Sequence, residues 1–294
     1  MLAALSSFVP AIVLTFAAVA FGCCHARTAD QSVAQTAASA TPMSEPRHAR
    51  GMWVWGTSTR VQHDDALPAL LETCRMLRLT EVYLSINGVL DDPRLPAFVE
   101  GLRAAGIRVE ALMGEARWYQ AAERPAMFAK IDAVATFNAK HPPGFSAVHL
   151  DVEPHQLKEN EASHAFLPEL AFALTEARLR AASFGLGTSA DLPRFALDED
   201  GPAFASAVPR IFVMLYQLRD RSSSWLVRAS RSVLEHAFSG VPSDEPGELV
   251  VALRVEDYPE TLETMLDALD GAHGASLRYG GWAVHDEAKY RARR

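Results

Sequence analysis

Eight short apolar runs, spaced along most of the chain, constrain the fold more than any other feature of the sequence. They cover residues 52–55, 82–86, 109–113, 147–152, 185–189, 211–215, 249–253 and 281–284. Between most of them apolar residues recur at the spacing of one helix face, as in the set Leu67, Leu70, Leu71, Cys74 and Leu77. Strands that alternate with helices indicate a parallel sheet, because parallel neighbours must be joined by crossover connections.

The length of the folded part favours one closed architecture. Residues 51–294 are close to the roughly 250 residues typical of a (β/α)₈ barrel. We therefore predict a single-domain α/β protein whose strands close into a (β/α)₈ TIM barrel. An open, doubly wound parallel sheet is the alternative, although no GxGxxG motif follows a strand to support nucleotide binding there.

The N-terminal region has a different composition. The first 24 residues contain no charged side chain and are apolar over about the length of a membrane-crossing helix. We predict that residues 1–26 are a signal peptide or membrane anchor, and that the protein is exported. Cys23, which follows Gly22, resembles the acylated cysteine of bacterial lipoproteins, so an envelope lipoprotein and a secreted protein are both open. Residues 27–50 are rich in Ala, Thr, Ser and Gln and are predicted to be a flexible linker.

Charge and motif content exclude several kinds of partner. The net charge of −8 argues against nucleic acid, whose binding proteins are usually basic. Membrane contact is expected only through the N-terminal segment or a lipid on Cys23. Candidate metal ligands are His149, His155, His285 and Asp286. No HExxH or comparable spacing occurs among them, so we predict neither a metal nor a cofactor.

Polar and aromatic residues cluster where the strands of such a barrel would end. Active sites of these barrels lie at the C-terminal ends of the strands. Aromatic rings stack on sugars, and carboxylates bond hydroxyls, so the mixture is typical of a sugar groove. The predicted substrate contacts are Trp53, Trp55, Asn87, Glu115, Trp118, His149, Asp191, Gln217, Glu256, Trp282 and His285. Core packing of Trp53 and Trp55, and surface pairing of Glu115 with Arg117 and of Asp191 with Arg194, are the structural alternatives.

The fourth apolar run carries the strongest candidates for chemistry. His149, Asp151 and Glu153 alternate along it, and alternate residues of a strand share one side. Two neighbouring carboxyls do not both ionise cheaply, so the pKa of one should rise and produce a general acid beside an orienting anion. An acidic strand end that is solvated or bonded to Lys or Arg is the structural alternative.

These residues resemble motifs of family 18 glycoside hydrolases, the chitinase and endo-β-N-acetylglucosaminidase family. That family carries DxxDxDxE on strand 4, Met-x-Tyr-Asp on strand 6, and a tryptophan at the end of strand 8. The corresponding residues here are Ser146, His149, Asp151 and Glu153, then Met214, Leu215, Tyr216 and Gln217, and finally Trp282. The chain departs from the family pattern at Ser146, His149 and Gln217.

The resemblance implies a role for three residues. Glu153 would protonate the leaving oxygen, Asp151 would orient the N-acetyl group of the substrate, and Tyr216 would hold the acetamide. We thus predict an exported, glycoside hydrolase-like protein that acts on a polysaccharide or glycan. A non-catalytic glycan-binding lipoprotein of the same fold is one alternative. A retaining glycosidase that uses Glu153 and Glu256 at the ends of strands 4 and 7 is another.

Overall fold

The computed structural model of the protein describes residues 48–217, 220–242 and 244–293. The predicted signal or anchor segment 1–26, Cys23 and nearly all of the predicted linker 27–50 lie outside these ranges. Within them, no helix has both the length and the apolar character needed to cross a bilayer.

Parallel strands form a closed barrel in chain order, which confirms the predicted architecture and rules out the open sheet. The last strand pairs with the first, so that Ala49 lies opposite Gly281 and Met52 opposite Val284. The strands are β1 (Ala49–Val54), β2 (Glu81–Ser85), β3 (Arg108–Met113), β4 (Ala147–Leu150), β5 (Gly187–Pro193), β6 (Arg210–Met214), β7 (Glu248–Arg254) and β8 (Tyr279–His285).

Helices connect the strands on the outside. They are α1 (Thr57–Arg60), α2 (Ala66–Leu77), α3 (Leu95–Ala104), α4 (Arg124–Lys140), α5 (Leu167–Ala182), α6 (Arg194–Ala207), α7 (Ser223–Ala237), α8 (Leu262–His273) and α9 (Glu287–Ala292). Short 3₁₀ helices follow β3, β4 and β7, at Ala116–Tyr119, Pro154–Gln156, Lys158–Asn160 and Val255–Asp257. The connections after β3, β4 and β7 therefore begin with a tight turn at the C-terminal end of the barrel.

The barrel separates two layers of side chains, because successive residues of a strand point to opposite faces. The outer layer packs the strands against the helices and is almost entirely apolar. The inner layer holds a smaller apolar group, made of Trp53, Tyr83, Leu112, Phe212, Val250, Ala252 and Ala283. Buried polar residues share the interior with it, among them Glu110, His149 and Asp191. The interior therefore contains both a packed core and groups capable of chemistry.

One strand differs from its predicted extent in a way that matters for the site. The apolar run at 185–189 predicts that strand 5 ends at Ser189, yet β5 continues to Pro193. Asp191 therefore lies within the strand instead of after it, and its side chain is 3% exposed. The expectation of a surface pair between Asp191 and Arg194 is wrong, since Arg194 bonds Asp198 on α6.

An ion-pair network closes the N-terminal end of the barrel. Arg210 at the start of β6 contacts Glu81 at 2.6 Å, Glu110 at 3.1 Å and Glu248 at 2.6 Å. Arg108 adds a second contact to Glu110 at 3.0 Å. The carboxylates of Glu81 and Glu110 are buried, that of Glu248 is partly exposed, and arginine balances their charge. We call this group the floor network.

Candidate active site

Asp151 and Glu153 follow β4 directly, at the end of the barrel opposite the floor network. The backbone N–H of Asp151 donates to the carbonyl of Met113 at 2.9 Å, which extends the pairing of β3 and β4 by one residue. Gly114 makes this approach possible, because a Cβ at that position would lie 1.9 Å from the Asp151 carbonyl oxygen. The backbone of β3 thus fixes the position of the acid-bearing segment.

Glu153 is partly buried, with 20% of its side chain exposed. Its Oε2 accepts a hydrogen bond from Gln156, and His155 Nε2 lies 3.5 Å from Oε1. Within the described ranges no lysine or arginine comes within ion-pair distance of this carboxyl. Burial, together with the charge of Asp191, raises the pKa of Glu153 to about 7. The group is therefore partly protonated at neutral pH.

Asp151 shares this environment and is perturbed in the same direction. Burial raises the pKa of Asp151 well above its usual value, and the neighbouring charges of Asp191 and Glu153 raise it further. Electrostatic coupling of this kind means that the two carboxyls titrate as a pair. The pKa values of both carboxyls at the end of β4 are therefore raised, whereas the sequence predicted one raised acid beside an orienting anion.

His149 and Asp191 form a buried pair beneath these acids. His149 Nε2 lies 2.9 Å from Asp191 Oδ2, and Nδ1 lies 2.8 Å from Ser189 Oγ. Trp53 Nε1 donates to the same Asp191 oxygen at 3.3 Å. Burial works against the charged imidazole, but Asp191 and Glu110 outweigh it and raise the pKa of His149 to about 9. His149 is thus a cation at neutral pH.

The two tryptophans of β1 have different positions. Trp53 is 1% exposed and packs edge-on against His149 and Phe212, so it belongs to the interior core beneath the acids. Trp55, two residues nearer the C-terminal end, is only partly buried and donates from Nε1 to His285 Nε2 at 3.0 Å. Core packing is therefore correct for Trp53, whereas Trp55 lies beside the open end of the barrel.

Tyr216 completes the group around the acids. Its ring centroid lies 6.0 Å from that of His285. Burial raises the pKa of the Tyr216 hydroxyl well above its usual value, followed by the charges of Asp191 and Asp151. Burial lowers the pKa of His285, so that a neutral imidazole faces the tyrosine. The structure therefore brings Trp55, Asp151, Glu153, Tyr216 and His285 together, and we call this set the mouth.

Arg254 at the mouth rim was not predicted from the sequence, and it lies there together with Asp257. Arg254 ends β7 on the inward face, bonds Asp257 at 3.0 Å and lies 5.6 Å from the Tyr216 ring centroid. Asp257 also accepts the backbone N–H of Gln217 at 2.7 Å, where a φ of 54° places Gln217 in the left-handed region. Arg254 alternates along β7 with Val250 and Ala252, which face the interior. This alternation could have predicted that Arg254 also faces inward.

Several predicted contacts are not part of the mouth. Trp282 faces outward, where its Nε1 donates to Asp270 of α8 at 3.2 Å and Arg50 stacks over its ring. It cannot serve as a sugar platform inside the barrel, so that expectation is wrong. Trp118 is 3% exposed in the outer apolar cluster, with Lys130 over its ring at 5.6 Å.

The remaining predicted residues lie at the periphery. Asn87 is exposed and accepts a hydrogen bond from Lys130 at 2.9 Å. Glu115 is also exposed, and its expected partner Arg117 contacts Glu159 instead at 2.9 Å. Glu256 is 44% exposed and pairs with Lys289 of α9 at 3.3 Å. The arrangement gives Glu256 a cationic partner that Glu153 lacks.

The weighed metal ligands do not assemble. Across the three described ranges, no group of three or more His, Cys, Asp or Glu side chains is arranged to hold a metal ion. Both ring nitrogens of His149 are occupied by Ser189 and Asp191, and His285 Nε2 accepts from Trp55. These imidazole nitrogens thus have hydrogen-bond partners within the protein.

Comparison with known proteins finds similarity in structure alone. No protein-family model matches the sequence, and no curated protein matches it. A GH18 chitinase from Pseudoalteromonas aurantia aligns with a TM-score of 0.57 at 12% identity, over 82% of this chain and 94% of the chitinase. A chitinase from Chromobacterium violaceum gives 0.55 at 12% identity, over 84% and 97% of the two chains. The PgaB (BpsB) glycoside hydrolase domain from Bordetella bronchiseptica gives 0.54 at 10% identity, over 84% and 96%.

This chain shares the barrel fold of these glycoside hydrolases. The alignments extend over nearly the whole of each relative. The resemblance inferred from the motifs at strands 4 and 6 is thus matched by a distant similarity in fold.

Proposed function

We propose that this protein is a glycoside hydrolase that acts on a polysaccharide or glycan. The observation that carries the proposal is the state of Glu153, which is accessible at the mouth and has a pKa near 7. A general acid works best when its pKa lies close to the working pH. A glutamate paired with arginine would stay ionised and would suit binding without catalysis.

The proposed reaction assigns one proton transfer to each half of the hydrolysis. Glu153 donates its proton to the glycosidic oxygen as the bond from that oxygen to the anomeric carbon breaks. Water then adds its oxygen to the anomeric carbon and returns a proton to Glu153. Asp151, whose pKa is raised, orients the reacting sugar through a hydrogen bond. Tyr216 donates its hydroxyl to a polar substituent of the same sugar.

The remaining mouth residues suit a sugar as the ligand. Trp55 offers a partly exposed aromatic surface, and aromatic rings stack on the C–H faces of sugars. His285 and the rim residue Gln217 provide hydrogen-bonding groups beside it. The fold likeness to proteins described as chitinases supports polymers of amino sugars as the first substrates to test.

Incubation with a panel of oligosaccharides and polysaccharides, including amino-sugar polymers, tests the proposal. We expect release of shorter products by the wild-type protein, with kcat/KM falling as pH rises through about 7, because Glu153 then loses the proton it donates. Glu153→Gln should slow release by a factor of about 10² to 10⁴. Glu235→Gln, on the exposed face of α7, is the matched control and should retain activity.

The other outcomes separate the alternatives. Glycan binding without product release would support a non-catalytic binding protein, and would contradict the proposal. Loss of activity in Glu256→Gln, together with a glycosyl-enzyme trapped on Glu256 of the wild-type protein, would support the retaining mechanism at that residue. Full activity of Glu153→Gln would show that the acid lies elsewhere.

We also propose that the protein is exported, on the basis of the uncharged apolar stretch in residues 1–24 and of Cys23. Cell fractionation of the full-length chain should place it in the envelope or the medium. Metabolic labelling with a fatty acid should mark the wild type and not Cys23→Ala if the cysteine is acylated. Recovery in the cytosolic fraction would contradict export.

A further inference from the structure

The buried residues beneath the mouth form one continuous hydrogen-bonded chain. Ser189 Oγ donates to Glu110 Oε2 at 2.6 Å, and His149 Nδ1 lies 2.8 Å from the same hydroxyl. His149 Nε2 then contacts Asp191 Oδ2 at 2.9 Å. All four side chains are at least 97% buried. The chain starts at the floor network and ends next to the acids of the mouth.

The directions of these hydrogen bonds fix the charge of His149. A serine hydroxyl has one proton, and Ser189 gives it to Glu110, a carboxylate held ionised by Arg210 and Arg108. Ser189 can therefore only accept from His149, so Nδ1 carries a proton. Nε2 lies 2.9 Å from the carboxylate of Asp191, and because the pKa of His149 is about 9, this nitrogen carries a second proton at neutral pH. With both nitrogens protonated, the imidazole is a cation.

Asp191 is the residue that this cation faces. Its Oδ2 accepts from His149 and Trp53, whereas its buried Oδ1 has no hydrogen-bond partner among the described residues. The other titratable and charged groups around it come from three further places. They are Asp151 and Glu153 after β4, Tyr216 after β6, and His285 at the end of β8. Arg254 at the end of β7 acts on Tyr216 and His285.

We propose that Asp191 on β5 is the anion of the site, and that His149 is the positioning residue that holds its carboxylate beneath Asp151 and Glu153. The placement and charge of this pair do not depend on the proposed function, but its effect on proton donation by Glu153 rests on that function. The family pattern has an aspartate at the position of His149 on strand 4. Here a cation occupies that position, and the carboxylate comes from the neighbouring strand.

The arrangement explains why the two mouth acids hold protons. A carboxylate that stays charged raises the pKa of acids close to it. Asp191 contributes to the raised pKa of both Asp151 and Glu153, and the charge of His149 acts in the opposite direction on Asp151. Burial is the main cause of the raised pKa of Glu153, and Asp191 adds to it, so the buried pair shifts the pH at which Glu153 can act as a proton donor.

Carboxyl ¹³C NMR of the full-length protein tests the proposal without any substrate, with Glu153→Gln used to assign the signal. Asp191→Asn keeps the shape of the side chain and removes its charge. We expect it to lower the pKa of Glu153 by at least about one unit, the scale of a close like-charge interaction. Asp257→Asn removes a different buried carboxylate at the rim and is the matched control. It should leave the pKa of Glu153 unchanged.

A second measurement covers the case in which Asp191→Asn does not fold. Ring ¹⁵N shifts of His149 in the wild-type protein should show both nitrogens protonated at pH 7. Ser189→Ala removes the hydroxyl that accepts from His149 Nδ1, so it should lower the pKa of His149 measured from the same ring ¹⁵N shifts. A neutral His149 at pH 7, or an unchanged Glu153 pKa in folded Asp191→Asn, would overturn the proposal.

The activity data distinguish the two proposals. If hydrolysis occurs, the Asp191→Asn profile of kcat/KM should lose activity at a lower pH than the wild type. If no glycan is hydrolysed but the NMR shifts are as expected, the proposed function fails while the role of the buried pair stands. If hydrolysis depends on Glu153 but the NMR shifts are absent, the proposed function stands and the role of the buried pair fails.

Discussion

The two ends of the barrel both bury carboxylates, but they treat them in opposite ways. In the floor network, Glu81, Glu110 and Glu248 contact Arg210, and the pKa of Glu110 is lowered to about 2. At the mouth, Glu153 has no lysine or arginine partner within the described ranges, and its pKa rises to about 7. A glutamate side chain is therefore ionised at neutral pH at one end of the barrel and partly protonated at the other.

This difference separates stability from chemistry within a single barrel. Carboxylates matched to arginine contribute to a unique, rigid interior, whereas unmatched carboxyls cost folding energy and are common at active sites. His149 and Asp191 lie between the two ends and connect them. Four measurements can break or sharpen the comparison.

The largest effect should come from Glu153→Gln at the mouth. Loss of a general acid lowers kcat by about 10² to 10⁴, because the leaving oxygen must depart without a proton. Folding stability at pH 8 should not fall, since the substitution removes a partly buried charge. A marked loss of stability with activity retained would reverse the roles assigned to the two ends.

Arg210→Met should act on the floor in the opposite sense. Removing the arginine leaves Glu81, Glu110 and Glu248 without their shared partner, at a cost of about 3–5 kcal/mol in the free energy of unfolding. Urea denaturation measures the loss, with Arg228→Met on the exposed face of α7 as the control. A loss no larger than that of the control would show that the floor charges are not needed for folding.

The two ends should also give opposite dependences of stability on pH. The folded-state pKa of Glu153 is raised, so its stabilising effect is complete below pH 4.5 and is lost as pH rises through about 7. The pKa of Glu110 is lowered, so its effect is present above pH 4.5 and is lost as pH falls towards 2. Each change is on the order of 3 kcal/mol.

Urea denaturation across this pH range, with Glu153→Gln and Glu110→Gln, separates the two contributions. Glu153→Gln should flatten the curve between pH 4.5 and 7 and leave the acid limb intact. If it flattens the acid limb instead, the charge states of the two ends have been assigned the wrong way round.

The smallest effect should come from Trp282→Phe. This residue packs outside the barrel and donates one hydrogen bond to Asp270, worth about 1 kcal/mol. Thermal unfolding should detect that loss, while hydrolysis stays at the wild-type rate. Trp55→Phe, at the mouth, is the contrasting variant and should weaken glycan binding. Reduced hydrolysis in Trp282→Phe at unchanged stability would return this tryptophan to the site.

The sequence was sufficient to predict the barrel because each strand carries an apolar outer face. Residues such as Val82, Val109 and Leu249 must pack against helices, so the runs are visible without any structure. The inner face need not be apolar, because it also holds buried polar residues such as Glu110 and His149. Asp191 and Pro193 interrupt the apolar pattern of β5, so the pattern predicts an end at Ser189. The strand itself continues to Pro193.

The tryptophans show how far strand alternation alone can predict a site. Trp53 and Trp55 are two residues apart and share the inner face, as expected. Trp282 and His285 are three residues apart on one strand, so they cannot both point inward. The resemblance to a family motif placed Trp282 at the mouth, and its position at the strand end placed His285 there. The alternation of the strand contradicts the prediction for Trp282. Charge matching between residues distant in sequence, such as Arg210 with Glu81, has no signal in the periodicity.

Gly114 limits how the open end of this barrel can be altered. Any larger residue would collide with the main chain that carries Asp151, so the segment bearing both acids would be displaced. Directed evolution of the surrounding loops for new sugars can vary Trp55, Gln217 and Glu256, but it must leave this one position without a side chain. Substrate preference and acid placement are, to that extent, separately adjustable.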